Sequence, residues 1–197
     1  MENIMSKLKK AGILFAILIA GAASWVYFYW MNTPAYAAGE IQKAVQSHDY
    51  DLLAYRVDLN KVYSAAIDDS ADVLSKDGEK DHRTAASLLR SLKSPIADEL
   101  VHQTQLRFQG KKKESSLFDE PVNAITSYLG FTTLTITQCL SIEEKGDQAV
   151  VSVRVHDRKL KHDFTWKVLM EKDVNGTWCA TRILNLKDYI REREALL

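Results

Sequence analysis

VVSVRVHDRKLKHDFTWKVLM, residues 150–170, is the stretch that decides the fold of this 197-residue chain. Apolar residues take every second position on both sides of a polar centre. They are Val151, Val153 and Val155 before the centre and Phe164, Trp166, Val168 and Met170 after it. A period of two is typical of strands with one buried face. The stretch therefore predicts two antiparallel strands joined by a polar hairpin tip.

Two more strands flank this hairpin. Leu134, Ile136, Leu140 and Ile142 alternate with polar residues up to a turn at residues 145–147. Downstream, Asn175-Gly176 is a strong hairpin-turn signal, and apolar residues alternate again from Trp178 to Leu184. The four segments together predict a four-stranded antiparallel meander.

The chain before the meander has the apolar spacing and the capping residues of helices. Thr33-Pro34 and Ser94-Pro95 each combine an N-cap residue with proline at the first helical position, and Asp58 is a further N-cap. Predicted helical segments follow these caps and also cover residues 80–92, 121–129 and, as a short C-terminal helix, 186–197. Helices followed by a meander predict an α+β fold, with several helices packed on one face of the sheet.

Residues 11–31 contain no charged side chain, and a helix of this length spans about 31 Å, enough for a bilayer core. Lys7, Lys9 and Lys10 precede the segment. The positive-inside rule then predicts a cytoplasmic N-terminus at residues 1–10, a transmembrane helix at 11–31 and an extracytoplasmic domain at 32–197. The segment is expected to cross a cytoplasmic (inner) membrane once.

The outer end of the predicted span is rich in aromatic rings, which prefer the membrane interface. The residues expected at that depth are Trp25, Tyr27, Tyr29 and Trp30. A cleaved signal peptide is the alternative, because Ala35-Tyr36-Ala37 has the small-x-small form of a cleavage site. The apolar segment is longer than a typical signal core, which favours a retained anchor.

Composition limits the range of partners. The chain has 26 basic and 26 acidic residues, which gives no reason to expect nucleic acid. Membrane lipid is the expected partner of the N-terminal helix, and a protein of the cell envelope is a further expected partner. Cys139 and Cys179 would lie in an oxidising compartment, where they either pair or stay as thiols.

Short motifs carry a resemblance to known proteins. They are Thr33-Pro34-Ala35-Tyr36-Ala37, Ile41-Gln42-Lys43-Ala44-Val45, Asp49-Tyr50-Asp51, Arg56-Val57-Asp58 and Asn175-Gly176-Thr177-Trp178. In these motifs the chain resembles a bacterial family of single-pass membrane proteins of unknown function with a nuclear-transport-factor-two-like (cystatin-like) cone. The resemblance implies helices covering a strongly curved sheet. Similar cone domains act as periplasmic scaffolds in secretion assemblies, which is an analogy of architecture alone.

A candidate ligand pocket follows from strand alternation. Strict alternation places Arg182 on the face of Trp178, inside the cone with Trp166, where a buried arginine would need an acidic partner or an anionic ligand. Ile183 and Leu184 are both apolar, however, and this favours a bulge that turns Arg182 outward.

Other side chains offer weaker candidates. His156-Asp157 and His162-Asp163 flank the hairpin tip and have donors suited to a divalent metal, but the basic residues between them disfavour a cation. Asp68 and Asp72, four residues apart on a helix, could act as an acid/base pair or form a solvated face. We predict no catalytic residue, no metal site and no cofactor, because nucleotide cradles and nucleophile elbows are missing from the sequence.

The sequence thus predicts a membrane-anchored binding or scaffolding domain rather than an enzyme. Two alternatives stay open at this point. One is an enzyme or small-ligand binder that uses the cone pocket, and the other is a subunit of an envelope or secretion assembly.

Overall fold

A computed structural model describes residues 2–76, 79–112 and 116–197, with the side chains of residues 2–14 and 16 left outside the description. The described elements are α1 (Glu2–Met31), α2 (Pro34–Ser47), α3 (Tyr50–Arg56), α4 (Leu59–Lys76), α5 (Lys80–Ser91), α6 (Lys93–Phe108), α7 (Asp119–Tyr128), β1 (Leu134–Lys145), β2 (Gln148–Asp157), β3 (His162–Lys172), β4 (Trp178–Ile183) and α8 (Leu186–Glu194). The chain is therefore α+β, as predicted.

The four strands form one antiparallel sheet in the order β1-β2-β3-β4, which confirms the predicted meander. The β2–β3 pairing is regular over its whole length, from Gln148 opposite Glu171 to Asp157 opposite His162. Every second side chain of β2 is buried, because one sheet face packs against helices.

The pairing of β3 with β4 contains a bulge. Met170 lies opposite Ala180, whereas the preceding Leu169 lies opposite Arg182, so Thr181 is an extra residue in β4. The extra residue reverses the alternation after it, and the side chain of Arg182 points outward. Of the two expectations for Arg182, the structure matches the bulge.

The edge strand β1 departs further from strict alternation. Its pairing with β2 shifts register twice, which leaves Thr137 and Leu140 as extra residues. Cys139, between the two shifts, lies opposite the core residue Val153, although the helices do not cover it and it is exposed. The apolar pattern of β1 therefore predicted the strand but not its faces.

Most helix starts follow the predicted caps. The Thr33 hydroxyl accepts a hydrogen bond from the Tyr36 N–H at 3.2 Å, and Asp58 accepts one from Lys61 N–H at 3.1 Å. The Ser94-Pro95 cap is wrong, because α6 already begins at Lys93. A single residue joins α5 to α6, so the proline falls in the first turn, where its missing N–H is not needed.

The core lies between the sheet and the helices and is rich in aromatic contacts. Tyr189 of α8 meets both Phe164 and Trp166 of β3 edge-to-face, with ring centroids 4.9 and 5.4 Å apart. Phe131 contacts the other side of Trp166 at 6.1 Å. Trp178 of β4, which is 1% exposed, belongs to the same buried core.

Helix α1 differs from the other helices because its described apolar side chains face outward. Phe15, Ile17, Trp25 and Tyr29 are among the large side chains exposed along it. Among the described residues, no helix is both long and apolar enough to cross a membrane. The predicted anchor at 11–31 lies partly, and the predicted segment 1–10 entirely, outside the described side chains.

Candidate functional site

The junction between α1 and the rest of the chain is held by direct contacts. Trp178, the first residue of β4, donates its indole N–H to the carbonyl oxygen of Asn32 at 3.2 Å. The Thr33 hydroxyl donates back to the Trp30 carbonyl at 2.8 Å while it caps α2. The end of α1 is thus attached to the core of the domain rather than to a free linker.

A buried arginine supports this junction from α3. Arg56 is only 7% exposed and forms an ion pair with Glu40 of α2, with Nε and Oε2 2.6 Å apart. Its guanidinium also lies over the rings of Tyr55 at 4.8 Å and Tyr36 at 5.8 Å. A planar cation of this kind can stack on aromatic rings and bind a carboxylate at the same time. Arg56 therefore joins α2 to α3, and it reaches the Trp178 carbonyl at 3.4 Å.

The three residues of the predicted ligand pocket do not line one cavity. Trp166 and Trp178 are both buried in the aromatic core, whereas the Arg182 side chain is 45% exposed on the opposite face of the sheet. The indole N–H of Trp166 has no hydrogen-bond partner among the described residues. Neither of the cavities described below has any of the three in its lining.

Arg182 forms an ion pair with a residue of α4, which is distant in sequence. Its Nη2 lies 2.9 Å from Oδ1 of Asp69, whose side chain is 3% exposed. Lys187 of α8 lies between Asp69, at 3.3 Å, and Asp72, at 2.6 Å, and Arg90 of α5 reaches Asp72 at 2.8 Å. This ion cluster connects α4, α5, α8 and β4. The sequence does not single out Asp69, because a polar residue at one position of an amphipathic helix is ordinary.

The predicted acid/base pair on α4 is occupied by these ion pairs. Asp68 pairs with Lys93 at 3.0 Å, and hydrogen bonds from Lys187 and then Arg90 hold the pKa of Asp72 below its usual range. A carboxylate held ionised by two cations is a poor proton donor or acceptor near neutral pH. The geometry favours a structural role for both carboxylates.

The histidines at the hairpin tip do not converge on a common point. His156 pairs with Asp163 at 2.6 Å, while His162 lies 3.4 Å from Glu192 of α8. Asp157 is fully buried and binds Arg193 at 3.2 Å and the Lys159 N–H at 2.8 Å. No group of three potential metal ligands occurs among the residues whose placement is described.

The two cysteines are thiols at opposite edges of the sheet. Cys139 lies in β1 and Cys179 in β4, and both are free. Three strand spacings of about 4.8 Å separate them, twice the Cα distance that a disulfide tolerates. Burial raises the pKa of both thiols, so neither has the thiolate character of a nucleophile.

Grooves open on the surface of the described chain. An open groove of about 890 Å³ lies between α3, α4, α6 and the strand ends, and its lining includes Tyr55, Asp58, Lys61, Asp98, Glu171 and Cys179. Its charged groups pair locally, since Lys61 lies 3.1 Å from Asp58 and Asn60 donates to Asp98 at 2.8 Å. A smaller apolar groove of about 400 Å³ runs between α4, α5, α6 and α7.

Fold and junction together define a class: an α+β domain with a four-stranded antiparallel meander, fastened at one strand end to a helix with outward apolar side chains. Comparisons with protein-family models, with curated proteins and with solved structures find no match to this chain. The resemblance to single-pass cone proteins therefore stays a prediction.

Proposed function

We propose that this chain is a scaffolding or binding domain held at the outer face of a bacterial cytoplasmic membrane by residues 11–31. The observation that carries the proposal is the outward apolar surface of α1, which continues into a fixed junction with the domain. The domain would act as a platform close to the bilayer, and its partner would be a protein of the cell envelope.

The exposed side chains of α1 support the membrane as its surroundings. Ile17, Leu18 and Ile19 each expose more than half of their surface, and so do the aromatic residues Trp25 and Trp30. A helix surface of this composition is unfavourable in water, at roughly 25 cal/mol per Å² of apolar area, and lipid removes that cost. The rings near Met31 would then lie at the interface.

The burial of the aromatic residues supports scaffolding over catalysis. The side chains of Phe164, Trp166 and Trp178 are buried, and none of them lines either of the two grooves. Asp68 and Asp72, the acid/base candidates, form ion pairs with lysine and arginine side chains instead. We therefore place the function on the outer surfaces of the domain, and we propose the nuclear-transport-factor-two-like cone as the fold that its helices and meander represent.

Protease added to spheroplasts tests this topology. We expect the domain after residue 32 to be degraded, with an antibody to the C-terminus as the detector, while an internal cytoplasmic protein stays intact. Complete protection of the C-terminus would overturn the proposed orientation.

A paired substitution tests the anchor itself. Replacing Leu18 and Ile19 together with arginine costs about 6–8 kcal/mol of insertion free energy, so the variant should leave the membrane pellet after carbonate extraction. The exchange Leu18→Ile with Ile19→Leu is the matched control and should stay in the pellet. Equal partition of the two variants would show that these residues are not in the bilayer.

A specific observation favours small-ligand binding as the second candidate. The indole N–H of Trp166 is buried without a partner in the described structure, which costs about 1–3 kcal/mol unless a ligand or a water molecule accepts the hydrogen bond. Native mass spectrometry of the purified full chain should then show a bound small molecule that Trp166→Phe loses. Identical spectra of the bare chain from both proteins would exclude this candidate.

Crosslinking in native membranes, followed by mass spectrometry, addresses the assembly alternative. A subunit of an envelope or secretion assembly should be recovered with other envelope proteins attached. Recovery of the uncrosslinked monomer alone would count against it.

A further inference from the structure

The turn between β3 and β4 lies beside the end of α1. Trp178 begins β4 and binds the carbonyl of Asn32, the first residue after α1. Val174 is four residues before Trp178, and four extended residues span about 13 Å, which bounds the distance between the turn and the tryptophan backbone. The turn is therefore held close to the point where the proposed anchor leaves the membrane.

The turn is rigid, because its polar groups are bonded internally. The Asp173 carboxylate accepts hydrogen bonds from the N–H groups of Asn175 and Thr177, both at 2.8 Å. The Gly176 N–H donates to the Asp173 carbonyl at 2.9 Å, and Gly176 has φ +77°, a value that favours glycine. A tip fixed in this way loses little conformational entropy on docking.

The exposed side chain at the tip is apolar. Val174 is exposed to the full extent of its side chain, at a position where turns usually carry glycine, proline or a short polar residue. Tyr55 lies beside the turn, since its hydroxyl is 3.4 Å from the Thr177 hydroxyl, and it is 56% exposed. The ammonium group of Lys172 lies 5.0 Å from the centre of the Trp178 ring. Tyrosine and lysine are side chains that membrane interfaces favour, and Lys172 also pairs with Asp147 at 3.1 Å.

We propose that the β3–β4 turn docks on the lipid headgroup region, with Val174 inserted between headgroups and Tyr55 at the interface, next to the outer end of α1. The inference rests on the proposed membrane anchor and adds a second contact with the same leaflet. Two contacts with the bilayer, one through α1 and one through the turn, fix the tilt of the domain. The outer surface then faces a partner in a defined orientation.

Spin-label depth measurements on the full chain test this contact. The chain, with both cysteines changed to serine, is reconstituted in vesicles of equal parts phosphatidylethanolamine and phosphatidylglycerol. A nitroxide is placed at Val174→Cys, at Ile17→Cys in α1, or at Leu117→Cys. Leu117 is the matched control, because it is a loop residue that is also almost fully exposed. It precedes α7, whose Pro121 lines the same groove as Leu74 near the C-terminal end of α4. The turn residue Asn175 lines the other groove, together with Asp58 at the start of α4.

Collision rates of the label with oxygen and with a water-soluble nickel chelate report the depth. We expect the ratio of oxygen to nickel collisions at Val174→Cys to exceed that at Leu117→Cys severalfold and to approach that at Ile17→Cys. Equal, water-like ratios at Val174→Cys and Leu117→Cys, with a lipid-like ratio at Ile17→Cys, would overturn the docking and leave the anchor in place. A water-like ratio at Ile17→Cys would overturn both.

Discussion

Gly130 lies against the buried ion pair that Asp157 of β2 forms with Arg193 of α8. Changing it to alanine has two physical effects. Its φ is +67°, a region that costs a residue with a Cβ about 1–2 kcal/mol. A Cβ at this position would also lie 2.5 Å from Nε of Arg193, which is too close for both atoms to keep their places. Gly130→Ala therefore strains the backbone and displaces the arginine.

The displacement is the larger effect. Arg193 binds the fully buried Asp157 at 3.2 Å and the Tyr128 carbonyl at 2.9 Å. Burial acts to raise the pKa of Asp157, but hydrogen bonds from Thr133, the backbone and Arg193 outweigh it and keep the carboxyl ionised. Complete loss of the partner of a buried charge costs about 3–5 kcal/mol, which is the upper limit for displacing the end of a flexible arginine. The total for Gly130→Ala is then at most about 4–7 kcal/mol, close to the whole stability of a small domain.

Gly146→Ala is the matched control. Gly146 has φ +64°, but no atom lies within 4 Å of the position of its added Cβ, so only the backbone cost of about 1–2 kcal/mol applies. Urea unfolding of the full chain in detergent micelles, followed by near-ultraviolet circular dichroism of the buried tryptophans, measures both variants. Arg193→Ala should lose about as much as the excess of Gly130→Ala over Gly146→Ala.

Equal free energies of unfolding for the two glycine variants would refute this reasoning, because they differ in the contact of the Cβ and not in the backbone angle. The same conclusion would follow if Arg193→Ala and Gly130→Ala had fully additive effects, since both are expected to remove one interaction.

Three further predictions concern the junction, the ion cluster and the thiols. Trp178→Phe removes the hydrogen bond to Asn32 and part of a buried ring, which should cost about 1–3 kcal/mol. It should also speed amide hydrogen exchange around the junction, and unchanged exchange there would contradict a fixed junction. Because the pKa of Asp72 is lowered in the folded state, its ion pairs stabilise the chain above the unfolded pKa of about 4 and are lost as pH falls through the folded value. Asp72→Asn should therefore weaken the fall of the free energy of unfolding with decreasing pH. An unchanged acid dependence would count against this role. Without reductant, maleimide should label both thiols of the chain, Cys139 before Cys179, and a failure of either to react until reduction would show a disulfide.

Sequence patterns predicted the sheet well, because period two depends on burial of one face and this sheet buries one face. The strand order, the turn at Asn175-Gly176 and the caps at Thr33 and Asp58 all come from local rules that the structure obeys. Local rules failed where a single residue joins two helices, as before Lys93. They also failed along β1, where two register shifts change which side chains face the core.

The site contacts were harder to predict, because they join residues far apart in the chain. Asp69 and Arg182 are separated by 113 positions, and Trp178 and Asn32 by 146. Each residue alone looks ordinary in its helix, strand or turn. Such pairs are determined by how helices lie on the sheet, and a single sequence holds no direct signal for that arrangement.

The hydrogen bond from Trp178 to Asn32 also has a geometric consequence: helix and sheet turn together about the axis of α1. A helix advances by about 100° per residue, so the number of residues in α1 sets the angle between a side chain near its start and each face of the domain. Adding one residue within α1 would rotate the domain by more than a quarter turn relative to the first part of the helix while leaving the domain itself unchanged. A partner bound to the first part of α1 would then meet a different side of the same domain.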